Sequence, residues 1–176
     1  MKLVDILSEL LDPTTGEKYD LQGPKVSSFT FSDGSKETSY MWTYKNVKGK
    51  KMDITANYEV DHEGKNPKMI IAFGTAASSD IRSKYNTMTG AGDIKAILKT
   101  IVDAAEQVID KELPGQGKSG LLAVGFEPAD QRRRRIYDYF IGKNFSQFKP
   151  TTDEDTIRDL GLNQHFNWYV NKSYKA

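Results

Sequence analysis

The chain has 176 residues and no cysteine, with 25 lysine and arginine residues against 24 aspartate and glutamate residues. The lack of cysteine excludes disulfides, thiolate metal sites and a cysteine nucleophile. A near-neutral charge is not typical of general nucleic-acid binders, which carry a basic excess, and no apolar run approaches the roughly 18 residues of a membrane span. Because 11% of the residues are aromatic, disorder is not expected either. We expect one soluble domain.

The first half of the chain is predicted to be a short helix followed by a meander of strands. In residues 1–25, leucine and isoleucine recur at helical spacing until Pro13, and a loop rich in glycine and proline follows. Apolar residues then alternate, as on one face of a strand. Alternation of Tyr40, Trp42 and Tyr44 indicates a core face more than a binding face. The predicted strands are 26–31, 40–44, 52–60 and the fully apolar 69–73.

The second half is predicted to alternate helices with strands. Apolar residues repeat at helical spacing over 94–109 and predict a long helix between the apolar strands 69–73 and 120–126. A right-handed crossover makes those two strands parallel neighbours. Another helix, a short helix capped by Thr152 or Asp153, and a final strand follow. The predicted fold is α/β (α+β), with a mixed, mainly antiparallel sheet and helices on both faces. Its core is residues 26–150, and residues 151–176 form a C-terminal helix and edge strand.

Two motifs in the second half resemble those of a family of small bacteriophage proteins. That family pairs a T-G-x-G-D-A stretch, which opens a helix, with a strand and a later S-R-x-x-L-Y motif. The corresponding residues of this chain are Thr89-Gly90-Ala91-Gly92-Asp93 and Arg133-Arg134-Arg135-Ile136-Tyr137. The resemblance covers roughly residues 55–145. It implies a viral protein of the host cytoplasm or the virion.

The order of elements is also similar to the acetyltransferase fold of the GNAT superfamily. There, a splayed strand leads to a Q/R-x-x-G-x-G/A loop whose N–H groups hold the pyrophosphate of acetyl-CoA at the start of a long helix. A later helix carries a tyrosine that can act as general acid. The resemblance implies that Thr89, Gly90, Ala91 and Gly92 would bind acetyl-CoA and that Tyr137 would be the general acid.

The glycine loop has two interpretations. Unpaired N–H groups and the dipole at a helix start favour an anion. Asp93 follows the last glycine directly, and its carboxylate would satisfy those same groups and repel a pyrophosphate. A tight turn capped by Asp93 is therefore favoured over a phosphate site, and no cofactor is expected unless the protein is an enzyme that uses acetyl-CoA.

The run Arg132, Arg133, Arg134 and Arg135 invites a nucleic-acid interpretation. Four successive helical side chains point in different directions, so most of the run is expected to be a solvated face. Arg133 shares the stripe of Ile136 and Tyr137 and should point toward the sheet, where it needs carbonyls, a carboxylate or a bound anion. Residues 129–149, including Lys143, hold six basic and two acidic residues.

Two further residues are candidates for proton transfer. Tyr137 is either a core tyrosine or a general acid, and the core role is favoured. Glu127 ends an apolar strand, where doubly wound sheets place functional groups, so a general base is possible there as well as a solvated strand end. His62 and His165 have no ligand spacing around them, so no metal site is expected.

Three functions stay open at this point. The favoured one is a non-catalytic phage protein on an acetyltransferase-like scaffold, either a virion component or a binder of a host factor. The second is an acyl-CoA-dependent N-acetyltransferase. Thr87 at the Q/R position, Asp93, and a Tyr137–Gly142 spacing one residue too long count against it. The third is a nucleic-acid accessory protein that uses Arg132, Arg134, Arg135 and Lys143. A membrane partner is not expected.

Overall fold

The computed structural model describes residues 18–46, 48–75, 94–126 and 131–174, with backbone alone at 75, 94, 95, 131–133, 135 and 136. Seven strands form one sheet in the order β1-β2-β3-β4-β5-β7-β6. They are β1 (Gln22–Thr30), β2 (Lys36–Lys45), β3 (Lys51–Val60), β4 (Lys68–Thr75), β5 (Ala123–Phe126), β6 (Phe148–Thr151) and β7 (Asn167–Asn171). The α-helices are α1 (Ile94–Glu112), α2 (Gln131–Asn144) and α3 (Glu154–Asp159).

The sheet is mixed and mainly antiparallel, as predicted. Strands β4 and β5 run parallel, and each of the other neighbouring pairs is antiparallel. The helix α1 connects β4 to β5, which confirms the crossover expected from the two apolar strands. No helix in the described ranges is long and apolar enough to cross a membrane.

The main core lies between one face of the sheet and the helices α1 and α2. The alternation predicted for the meander is confirmed, because Tyr40, Trp42 and Tyr44 are each at most 2% exposed. Every second residue of β3 joins them, and α1 packs its apolar stripe on top. The Tyr40 hydroxyl donates to the Glu112 carboxylate at the end of α1, so the strand and the helix are also tied by a hydrogen bond.

A smaller core lies on the opposite face, under α3 and the segment that follows it. Ala123, Leu162, Trp168 and Val170 are buried there. Asp153 caps α3, since its side chain accepts a hydrogen bond from the Thr156 N–H at 2.8 Å. The predicted presence of helices on both faces is therefore confirmed.

Residues 18–21, which precede β1, contact α1 through an ion pair and a hydrogen bond. The Lys18 ammonium lies 2.7 Å from the Asp103 carboxylate. The Tyr19 N–H donates to Thr100 Oγ1 at 2.9 Å, and the Tyr19 ring stacks on Tyr44 at 4.9 Å between centroids. These contacts fix where β1 enters the sheet.

Three features of the second half of the chain differ from the sequence prediction. Strand β6 was not expected, and it takes the edge position that was predicted for the last strand. The last strand, β7, lies between β5 and β6. Its side chains are apolar on both faces, with Trp168 and Val170 on one and Tyr169 on the other, and all three are buried, as suits an inner strand. Strand β5 also begins at Ala123, after a 3-10 turn at Gly117–Gly120, whereas the prediction began at residue 120.

Candidate functional site

Most of the residues predicted for the acetyl-CoA site lie outside the described residues. These are Thr89, Gly90, Ala91, Gly92 and Glu127. For Arg132, Arg133 and Arg135 the structure gives the backbone position in the first half of α2 and nothing of the side chains. Tyr137, Arg134 and Lys143 are described in full.

The parallel strands β4 and β5 pair along the whole described length of β5. Residues 123–126 of β5 pair with residues 68–71 of β4, and β4 continues to Thr75. The carboxyl ends of parallel strands are where open α/β sheets bind ligands, which makes the end of this pair the place to look for a site.

The ring of Tyr137 packs on β4 and β5 near the carboxyl end of this pair. It stacks on Phe126 of β5 with centroids 5.1 Å apart, and it meets Phe73 of β4 edge-on at 6.2 Å. The Tyr137 side chain is 3% exposed. The geometry thus places Tyr137 in the core, the role that the sequence favoured, against Phe126 at the described end of β5.

Beside Tyr137, the hydrogen-bonded side chains of Tyr169 and Asp138 connect β7 to α2. The Tyr169 hydroxyl donates to Asp138 Oδ1 at 2.7 Å. Burial raises the pKa of Tyr169, the Asp138 carboxylate raises it further, and the positive charge of Arg134 opposes both. Tyr169 therefore stays protonated and serves as a hydrogen-bond donor at physiological pH.

Arg134 is not on a solvated face, contrary to the expectation for this residue. Its side chain is half-buried and its charge acts on Tyr169. The physical reason is its helical position, three residues before Tyr137 and four before Asp138, which turns it toward β7. Lys143, by contrast, is exposed, with its ammonium 5.8 Å from the centre of the Tyr139 ring.

On the other face of the meander, sequence reasoning missed a pair of carboxyl groups. Glu37 and Glu59 are opposite each other on β2 and β3, and Lys68 of β4 is opposite Glu59. Burial raises the pKa of Glu59, Lys68 lowers it, and Glu37 raises it again. The pair lines a cleft of about 350 Å³ between the sheet and residues 161–168. The register of β2 against β3 brings the two carboxyl groups together, and no local pattern in the sequence predicts that register.

The Glu59→Gln variant should be more stable than the wild-type protein at pH 7.5, and the difference should vanish toward pH 4.5. With its pKa raised in the folded state, Glu59 contributes stability below its unfolded pKa, and this is lost as pH rises through the folded pKa. Relief of a cross-strand like-charge pair is worth about 0.2–1 kcal/mol, or roughly 1–4 °C in Tm.

Circular dichroism melts at both pH values measure this difference. Glu63→Gln, in an exposed turn, is the matched control and should show no such pH dependence. A Glu59→Gln protein that melts below the wild-type protein at pH 7.5 would mean that the attraction to Lys68 outweighs burial and Glu37.

The first strand of the sheet is exposed along its whole length. All nine residues of β1 are exposed. The described residues have three large apolar side chains at the surface, and all are in β1 or directly after it: Val26 (46% exposed), Phe29 (60%) and Phe31 (42%). The Phe29 and Phe31 rings contact each other edge-on at 4.9 Å.

No group of three or more histidine, aspartate or glutamate side chains that could hold a metal ion is found within the described ranges. Comparisons of the chain with protein-family models, curated proteins and solved structures found no match. The features that bear on function are therefore the exposed strand β1, the carboxyl end of the β4–β5 pair, and the polar residues beside Tyr137.

Proposed function

We propose that the chain is a non-catalytic phage protein on an acetyltransferase-like scaffold and that it works by protein–protein interaction through β1. The observation that carries this proposal is that the exposed large apolar residues of the described chain, Val26, Phe29 and Phe31, all lie on one edge strand or directly after it. Exposed apolar patches on soluble proteins mark interaction sites. A role in the virion or on a host factor, as the phage resemblance implies, requires such a surface.

The contrast between the two edges of the sheet supports this proposal. The far edge, β6, carries Lys149 and Pro150, and these residue types prevent a further strand from pairing. Strand β1 also contains a proline and a lysine, Pro24 and Lys25, but both lie near its beginning. Residues 26–31 contain no charge, proline or glycine, which is the composition of strands that pair readily with other strands. Within the described part of the chain, one edge is therefore unfavourable for pairing and the other is favourable.

The partner that fits β1 best is a second copy of the same strand. Because residues 26–31 carry no charge, two copies meet without repulsion. An antiparallel pair related by a two-fold axis extends the sheet across the dimer. A register centred on Phe29 brings the Phe29 and Phe31 rings of both copies together on one face. Such pairing satisfies the outer N–H and C=O groups of β1 and covers the apolar side chains at once.

Sedimentation of the purified protein tests this function. The wild-type protein should associate reversibly to a dimer, and Phe29→Lys should weaken association at least tenfold by placing two charges at the centre of the interface. Phe29 is 60% exposed, so the substitution should leave the fold intact. Gln107→Lys, an equal charge change on the exposed side of α1, should dimerise like the wild-type protein. A wild-type protein that stays monomeric at millimolar concentration would overturn the proposal.

Acyl-CoA-dependent acetyl transfer is the second candidate, and a specific observation favours it. Tyr137 lies against Phe126 at the carboxyl end of the described part of β5, next to the parallel strand β4, the end at which open α/β sheets bind ligands. Against it, the Tyr137 ring packs on Phe73 and Phe126 and is only 3% exposed. Acetyl-CoA at millimolar concentration should leave the Tm unchanged if the protein is non-catalytic. A saturable rise of several degrees would instead support the enzyme.

Nucleic-acid binding through Arg132, Arg134, Arg135 and Lys143 is less well supported. Arg134 is half-buried in a cleft beside β7, whereas Lys143 is exposed, so the two do not form one open basic surface for a phosphate backbone. Binding to DNA that weakens steeply with salt would support this candidate.

A further inference from the structure

A small polar cleft lies near the edge of the sheet opposite β1, between the start of β7, the end of β6 and the first half of α2. Asn167 begins β7 opposite Phe126, the last residue of β5, and Thr151 ends β6 opposite Trp168. The helix α2 begins nearby at Gln131. The cleft has a volume of about 250 Å³, and its polar lining consists of Arg134, Thr151, Thr152, Glu154, Gln164 and Asn167.

Two donors in this cleft have no acceptor within the part of the chain that the structure describes. The Asn167 side-chain nitrogen is buried and makes no hydrogen bond there. The Arg134 guanidinium is half-buried and has no carboxylate of another described residue within ion-pair distance. A buried donor without an acceptor costs about 1–3 kcal/mol, so a ligand that supplies acceptors is favoured at this place.

The other polar groups of the cleft fit the same ligand. Thr151, Thr152 and Gln164 each offer a side-chain donor beside the guanidinium and the amide. Two carboxylates are near. Asp138 is occupied by the Tyr169 hydroxyl at 2.7 Å, and Glu154 is exposed at the start of α3, where a helix favours an acid. The unsatisfied groups are therefore donors, and one of them carries a positive charge.

We propose that this cleft binds a small oxyanion, a carboxylate or phosphate group, through the Arg134 guanidinium and the Asn167 amide. An arginine fork matches two oxygens of such a group, and the bond is strengthened by charge. The cleft is smaller than those that bind drug-sized molecules, so it takes a small anion or the anionic end of a larger ligand.

Titration of the ¹⁵N-labelled full chain with sodium phosphate and, separately, sodium acetate tests the proposal. Sodium chloride at equal ionic strength serves as the reference. The Asn167 side-chain amide signals should move saturably with at least one of the two anions, and the tighter anion shows whether a tetrahedral or a planar group is preferred. Failure of both to saturate by 50 mM would overturn the proposal.

Two substitutions separate a specific site from general attraction of anions. Arg134→Gln should weaken binding at least tenfold, whereas Lys143→Gln, the same charge change on the exposed part of α2, should leave it unchanged. Asn167→Asp keeps the shape of the side chain and should also abolish binding, with an unchanged circular dichroism spectrum as evidence of folding. Equal losses for Arg134→Gln and Lys143→Gln would overturn the proposal. Neither result bears on dimerisation through β1.

Discussion

Replacing Tyr137 by alanine should lower the free energy of unfolding by about 3–5 kcal/mol, the usual cost of removing a buried aromatic ring. The Tyr137 ring packs on Phe126 of β5 and on Phe73 of β4. Without it, both aromatic contacts are lost, and a cavity remains between α2 and the two strands. Urea unfolding followed by circular dichroism measures the loss. A loss below about 1 kcal/mol would mean that the ring does not fill this space.

Tyr137→Phe distinguishes the core role of this residue from a catalytic role. The variant keeps the ring and its contacts, so the free energy of unfolding should change by about 1 kcal/mol or less. If the protein is non-catalytic, self-association and the response to acetyl-CoA should match the wild-type protein. An acetyltransferase that uses Tyr137 as its general acid would instead lose transfer activity at unchanged stability, and that pattern would contradict the proposed function.

The fold was largely predictable because its strongest elements have a clear period. Alternation through Tyr40, Trp42 and Tyr44 and the helical stripe of α1 are local signals, and these predicted elements are present in the structure. The helix predicted before Pro13 lies outside the described residues, and β1 begins at Gln22, inside the predicted N-terminal loop. The position of β6 is different in kind. Its four residues include Lys149 and Pro150, and they form a strand because β7 offers them an edge to pair with. Such a strand depends on a partner 17 or more residues away along the chain, which no local pattern records.

The candidate site was less predictable because it depends on contacts between elements. Helical spacing correctly placed Tyr137 on the buried stripe of α2. The partial burial of Arg134 was not predicted, since it depends on the cleft that residues 151–167 form beside α2, and the side chain of Arg133, the arginine predicted to point inward, lies outside the described residues. The open donor of Asn167 likewise arises from the register of β7 against β5. Periodicity in the sequence identifies which face of a helix or strand is buried. Finding an unsatisfied polar group requires knowing which strands pair and in what register.

Gly125→Ala should destabilise the protein by about 1–3 kcal/mol, the usual range for forcing extra atoms into a packed core. A Cβ atom on Gly125 would lie 2.8–3.0 Å from three atoms of the Trp168 ring. That indole is 2% exposed, and its N–H donates to the Asn163 carbonyl at 2.8 Å, so it cannot move aside freely. The glycine in β5 is therefore explained by the tryptophan opposite it on β7.

Gly142→Ala is the matched control for this substitution. Gly142 lies in α2, and a Cβ atom there would meet nothing within 4 Å. Because alanine is a better helix former than glycine, this variant should gain about 0.5–1 kcal/mol. Opposite signs for the two variants in the same urea experiment would show that close packing, rather than the general effect of replacing a glycine, sets the residue at position 125. A stabilised Gly125→Ala protein would contradict the close approach of Trp168 to β5.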